Sequence, residues 1–350
     1  MLYQKEVLTS HKVTIKDLAR MTGVSTAAVS NALAGKSNIS AAKRAQICEL
    51  AEQMGYEPNT VARNFHKSLI RIAVGMPNTP PSIFEKFRRG FAQATAEYEG
   101  GKLELHLLTY STISEDAESV FEEMAEGGYD GLILSHPDIY EDRRRAPIER
   151  IHAQGIPVVS LGDRLTLTKT CGHVMLDGAV GGRIAADFFG AVLSPGERAD
   201  VFAAVVPPQD MYKRYIDNFE QELGFYGLSL GQVHASCDYP EVAYEKALAR
   251  FSSPDAPRAA FVSTYSAWMV CKALEELGKS REVRLVGVDA TRENCACLRS
   301  GSLAAIIDQR QEEQARRAFR ALLSCLDGGS AGLISINPYL ITRGRLKDEE

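Results

Sequence analysis

VTIKDLARMTGVSTAAVSNALAGKSNISAAKRAQICELAEQMGYEPNTVARNFHK, residues 13–67, is the stretch on which the architecture turns. Thr14 with Asp17 three residues later is a hydroxyl cap with an acidic third position, a helix-start signal. Ile15, Leu18 and Ala19 give that first helix an apolar face. Gly23 occupies the short turn that follows, where a positive φ is often needed. Ser25 is placed to cap a second helix, with Val24, Ala28, Val29 and Leu33 inside and Thr26, Ala27, Ser30, Asn31 and Ala34 outside. Two short helices with a glycine turn make a helix-turn-helix. Ser40 caps a third helix, in which Ile47, Leu50, Ala51 and Met54 fall at helical spacing. Pro58 and Asn59 then start a further short segment, TVARNFHK.

Outward from this headpiece, residues 69–346 alternate apolar strand-like runs (IRIAVGM, DGLILS, ADVFAAVV, RLVGVD and LAAIID among them) with helical periodicity, as in FEKFRRGFAQATAEY and GAVGGRIAADFFGAVL. Alternating β and α elements imply parallel sheets covered on both faces. The fold class expected is therefore α/β: a small all-α headpiece followed by two doubly wound lobes, with ligand bound where the carboxyl ends of their strands face each other. A chain of 350 residues has room for all three units. Its net charge of −5 hides an asymmetry. Residues 1–70 hold nine Lys/Arg against five Asp/Glu, so +4, and the remainder carries −9. A basic head on an acidic body suits local phosphate binding without general adhesion.

The pattern V-[ST]-x-x-[DK]-[VL]-A-x-x-x-G-V-S-x-x-x-V-S, then G-Y-x-P-N-x-x-A-R, closely resembles the lactose-repressor (LacI/GalR) family, densely over 13–66. The body motifs YDGLILSHPD, IPVVSLGDR, MLDGAVGGRIAADFF, RLVGVDAT and LAAIIDQ resemble the sugar-receptor module that follows the headpiece in that family. The resemblance implies a helix-turn-helix domain at 12–58, a minor-groove hinge at 59–68 and an effector and dimerisation domain at 69–346. It implies lobe crossings near Gly162-Asp163, near Asp308 and near Gly328 to Leu333, so lobe one at 69–163 and 308–330 and lobe two at 164–307 and 331–346. A homodimer would set two headpieces on a palindromic operator in double-stranded DNA. Thr26, Ala27 and Asn31 would face base edges. Thr14, Ser25, Ser30, Lys36, Lys43, Arg44 and Asn59 are the further headpiece contacts expected, with phosphate the target for Ser25, Ser30, Lys36, Lys43 and Arg44. Ala62 and Phe65 share a hinge face with Val61. Phe65 stands where many relatives carry Leu, and is either a wedge at the operator centre or packed on the body.

In the cleft, the resemblance carries a small effector, a sugar or sugar derivative, onto Phe84, Asp138, Arg164, Arg214, Asp289 and Gln309. Asp289 is either a hydroxyl acceptor or the cap of the helix TRENCACL. The family arginine, counted back from Phe219, falls on Tyr215, and Arg214 beside it is the nearest replacement. That departure leaves a second reading open, in which the body senses a protein or phosphoprotein partner or serves only for dimerisation. Trp268 reads as core, and Arg143, Arg144 and Arg145 as a solvated face. No Walker loop, nucleophile elbow or metal motif points to an enzyme or to a cofactor. MLYQKEVLTSHK has no apolar leader, no run approaches a membrane span, and seven cysteines without framework spacing read as reduced thiols in a cytoplasmic chain. GRLKDEE after the last strand has no leucine heptad, which argues against a tetramerising coiled coil. A repressor is the regulator type expected.

Overall fold

A computed structural model describes residues 4–9, 15–33, 40–54, 69–78, 80–111, 116–135, 141–162, 170–204 and 210–346. The headpiece consists of α1 (Ile15–Thr22), α2 (Thr26–Leu33) and α3 (Ala41–Gln53). Leu18, Val29 and Ile47, one from each helix, are fully buried together, with Ala19, Ala32 and Ala51 around them. Gly23 turns the chain at φ 68. Ser25 Oγ accepts from the Ala28 N–H at 3.2 Å and Ser40 Oγ from the Lys43 N–H at 3.3 Å, so both serines cap as their positions suggest.

The body holds two sheets. The first runs in the order β1 (Gln4–Thr9), β3 (Leu103–Tyr110), β2 (Ile70–Pro77), β4 (Gly131–Ser135), β5 (Val158–Leu161), β6 (Gly172–Leu176) and β12 (Gly332–Ile336). Every neighbouring pair is parallel except β1 with β3. α4 (Pro81–Ala96) and α12 (Gln311–Leu326) cover one face through Phe87, Phe91 and Phe319. α5 (Asp116–Glu126) and α6 (Glu141–Ala153) cover the other through Phe121, Met124, Ile148 and Ile151. The second sheet runs β13 (Tyr339–Ile341), β11 (Ala305–Asp308), β10 (Arg284–Val288), β9 (Ala259–Val262), β7 (Arg198–Phe202) and β8 (Ser229–His234). α7 (Gly178–Val192) and α8 (Asp210–Phe225) close one face around Phe189, Phe219 and Phe261. α9 (Pro240–Ser252), α10 (Ala267–Glu276) and α11 (Arg292–Ser300) close the other around Phe251, Leu274 and Leu298.

This topology moves two of the three expected lobe crossings. β6 pairs with β5 and with β12, so the chain is still in the first lobe at Leu176, and it crosses at Asp177 rather than near Gly162-Asp163. β11 ends in the second sheet at Asp308 and α12 packs on the first, which puts a crossing between them. β12 belongs to the first sheet and β13 to the second, so the last crossing is at Asn337-Pro338, beyond Gly328 to Leu333. Lobe one thus spans 69–176 and 309–336, preceded by β1, and lobe two spans 178–308 and 339–346. The expectation of reduced thiols also needs correction. Cys171, opening β6, is joined in a disulfide to Cys325 near the end of α12. Cys48, Cys237, Cys271, Cys295 and Cys297 are in no disulfide. The bonded pair is 154 residues apart in sequence, and only the packing of α12 over β5 and β6 brings it together.

The α7–α8 contact depends on a missing side chain. A Cβ on Gly182 would collide with the carbonyl oxygen of Tyr215, a backbone atom that cannot rotate away. Gly182→Ala is expected to cost about 1–3 kcal/mol through forced separation of the helices. A thermal melt at the parent's midpoint would show that the interface yields freely.

Candidate functional site

The lobes meet at the carboxyl ends of β10 and β11. Asp289 ends β10 in the left-handed region, φ 67, which Asp tolerates better than most residues. Its backbone oxygen accepts from the Thr291 N–H at 2.8 Å and from Asn294 Nδ2 at 3.0 Å. The cap of α11 is Thr291, whose Oγ1 accepts from the Asn294 N–H at 3.1 Å, so the carboxylate of Asp289 is not used as the helix cap. It turns instead to the other lobe, where Gln311 Nε2, at the start of α12, donates to Asp289 Oδ1 at 2.5 Å. Asp289 is 6% exposed, and burial pushes its carboxyl up to about 6, against a counter-pull from Lys86 and from the Gln311 hydrogen bond. The Gln311 Oε1 atom is buried without a hydrogen-bond partner among the described residues.

A second bridge between lobes lies beside the first. Lys86 Nζ, from α4, donates to Asp308 Oδ2 at 3.1 Å, with both side chains largely buried. Asp308 Oδ1 in turn accepts from the Arg310 N–H at 2.7 Å, and Arg310 adopts φ 59 at the crossing. The junction between the lobes is therefore a group of two carboxylates, one ammonium and one primary amide, contributed by both lobes. Such a group can accept from and donate to a polar, hydroxyl-rich molecule.

The expected cleft residues divide. Asp289 is in this group. Gln309 adjoins it, but its backbone oxygen is taken by Gln314 Nε2 at 2.7 Å, and Gln311 is the glutamine that meets the acid. Phe84 packs half-buried against the first-lobe core. Arg214 Nη2 donates to Asp177 Oδ1 at 3.3 Å, and Asp177 caps α7 through the N–H groups of Ala179 and Val180. Arg214 thus braces the first crossing and is not joined to Asp289. Tyr215, in the family arginine's place, is fully buried against Gly181 and Phe261. Asp138 and Arg164 lie outside the described residues. Lys86 and Gln311 escaped sequence reading. For Gln311 the only signal was a second glutamine two places along in IIDQRQ.

On the headpiece, Ser25 and Thr26 are exposed and Lys43 and Arg44 partly so. Lys43 Nζ also donates to Gln46 Oε1 at 2.9 Å. Ala27, Ser30 and Asn31 lie on α2, their side chains outside the described set. Thr14, Lys36, Asn59, Ala62 and Phe65 fall outside the described residues altogether. Among the described residues no helix is long and apolar enough to cross a membrane, and no cluster of three His, Cys, Asp or Glu could hold a metal.

Residues 72–330 match the model for the periplasmic binding protein domain, and residues 14–59 the model for bacterial regulatory proteins of the lacI family. Among curated proteins, catabolite control protein A of Priestia megaterium is 28% identical over 149 residues, 42% of each chain. The HTH-type transcriptional regulator AglR of Rhizobium meliloti (strain 1021) is 28% identical over 158 residues, 43% of this chain and 41% of that one. The matched region thus spans less than half the length of these curated relatives. Among solved structures, an ABC transporter solute binding protein from Burkholderia graminis C4D1M in complex with D-arabinose superposes with a TM-score of 0.70 at 15% identity, covering 81% of this chain and 99% of that one. At that identity the likeness is one of fold. Over most of its length the chain belongs to the periplasmic binding protein domain family, and in front of that domain it carries a lacI-family helix-turn-helix.

Proposed function

We propose that the protein is a cytoplasmic transcriptional regulator, a repressor, that binds a palindromic operator as a homodimer and responds to a small carbohydrate in the cleft between its lobes. The observation that carries the reading is the covalent union of the two parts: a DNA-reading headpiece on a body whose Asp289 and Gln311 meet across the lobes. A ligand at that junction touches both lobes and favours one angle between them. Its leverage on the headpieces is its difference in affinity for the two arrangements, typically ~1–3 kcal/mol. The sugar complex of the B. graminis protein and the relatives' regulator names support the two halves of the proposal.

The test is selection of a binding site from random duplexes, then gel-shift titration at fixed salt with and without a panel of neutral sugars and sugar phosphates. A palindromic consensus bound by two chains, and a shift in affinity with one sugar, are expected. The engagement of Arg214 by Asp177 favours a second reading, a body that senses a protein partner, and a thermal-shift screen silent to every small molecule would select it. The hinge adds a prediction of its own. Phe65→Ala is expected to weaken specific binding and reduce DNA bending while leaving nonspecific binding, carried by Lys and Arg, nearly unchanged. An unaltered bend in a circular-permutation assay would remove the wedge.

A further inference from the structure

β1 is the feature that neither half of the proposed function uses. It precedes the headpiece in sequence, yet it belongs to the body. All six of its residues pair antiparallel with β3, from Gln4 opposite Thr109 to Thr9 opposite Glu104. Successive side chains of a strand point to opposite faces, and β1 is gripped on both. Lys5 Nζ donates to Glu123 Oε1 of α5 at 2.9 Å on one face. On the other, Arg88 Nη1 of α4 donates to Glu6 Oε1 at 3.2 Å. Exposed ion pairs of this kind contribute little each; the ladder to β3 supplies the attachment and the pairs fix which face is which. The end of β1 and the start of β2 lie at the same end of the first sheet, on either side of β3, because Thr9 sits opposite Glu104 and Ile70 opposite Leu103. The headpiece is therefore tied to the first lobe at both ends, which leave the same end of the sheet flanking β3. Lys102, next to β3, also lies 4.0 Å from Asp17 of α1.

Chain length sets what this closure does. Between Met54 and Leu69 the connecting segment is long enough to reach roughly 50 Å at full extension, whereas between Thr9 and Ile15 it reaches only roughly 20 Å. Through the second segment alone the limit on the headpiece is the longer radius. Attached through both, its first helix stays within the shorter radius. We propose that β1 is a strap that holds each headpiece close to the first lobe and thereby strengthens operator binding, because less freedom is lost when the headpiece docks. This rests on the DNA-binding reading above.

Two full-chain variants test it: removal of residues 1–9, and Glu6→Pro with Val7→Pro. Adjacent strand residues direct their N–H groups to opposite edges, so one of the two prolines must remove a bond to β3. In small-angle X-ray scattering without DNA, both variants should show a larger maximum dimension than the parent. In gel-shift titration both should bind the selected operator about three- to tenfold more weakly. Unchanged scattering from both variants would show that β1 restrains nothing. Unchanged or tighter operator binding would overturn the strengthening role, tighter binding marking the strap as inhibitory instead. A parent that binds no operator would sink the regulatory reading, and the strengthening role with it, while the scattering still decides the restraint.

Discussion

Asp289→Asn is expected to stabilise the protein above pH 6 and at the same time to weaken effector binding by about tenfold to a hundredfold. The stability effect follows from the raised carboxyl. Its ordinary value is ~3.9, and in the folded protein it is pushed up to about 6. The folded state therefore binds the proton more tightly than the unfolded one. Below about pH 4 both states are protonated and burial of Asp289 carries no charge penalty. The penalty grows as pH rises towards 6 and is then constant, on the order of 3 kcal/mol. Asparagine escapes it, keeps an oxygen for Gln311 Nε2, and tolerates the left-handed backbone better than alanine would. The binding effect follows from losing a charged acceptor, worth ~1.5–3 kcal/mol. Because an effector hydroxyl bonds best to the ionised form, parent affinity should fall about tenfold per pH unit below 6, whereas the variant should lack that dependence. Calorimetric titration of the effector from pH 5 to 8 checks both. A parent affinity that stays flat over this range would mean that Asp289 does not meet the effector.

Asp200→Ala should unfold the second lobe at markedly lower denaturant, with a loss of about 3–5 kcal/mol. Asp200 is fully buried in β7. It accepts from Arg250 Nε at 2.6 Å, the Gln232 N–H at 2.9 Å and His234 Nε2 at 3.2 Å. Arg250 is itself buried, and although it also reaches Asp255, that partner is exposed. Gly231 makes the arrangement possible, since a Cβ there would collide with Asp200 Oδ1. Alanine removes the shared acceptor of three donors and leaves the buried Arg250 guanidinium with only the exposed Asp255 as its acid. Burial alone would raise the Asp200 carboxyl, but the three hydrogen bonds and the arginine charge outweigh it and hold the group below the ordinary carboxylate value. A depressed folded value means that the contribution is present above pH ~3.9 and is lost as pH falls through the folded one. The gap between parent and variant should accordingly close in acid. Urea titrations at pH 7 and at pH 3 measure it, and a gap equal at both would contradict the assignment of charge.

What was legible in the sequence was local. Ser25, Gly23 and Ser40 announce the headpiece because a cap or a turn is decided within three or four residues. The alternation of strand and helix announced two sheets for the same reason. The misplaced crossings are failures of long-range pairing. Gly162 does adopt a positive φ, 89, but the chain returns to the same sheet beyond it, and only the pairing of β6 with β5 reveals that. β12 is mostly exposed and reads weakly as a strand until β6 is known to lie beside it. The disulfide and the pairing of β1 with β3 are likewise contacts between distant residues. At the cleft, Asp289 was visible as a strand-end acid, whereas the engagement of Arg214 by Asp177 and the choice of Gln311 over Gln309 depend on helix orientation that no local pattern encodes.

The order in which the first lobe's parts occur along the chain has a consequence for its birth on the ribosome. β6 is finished at Leu176, but α12, which covers Phe87 and Phe91, starts only at Gln311, and β12 follows at Gly332. All of the second lobe except β13 is synthesised in that interval, which takes on the order of ten seconds at ~5–20 residues per second. Throughout it the nascent first sheet shows an uncovered aromatic face and an open strand edge at β6, the two surfaces most prone to capture by another chain. The second lobe lacks only its edge strand β13 through this time and can pack its core first, so the lobe that begins earlier is the one whose aromatic face is covered later.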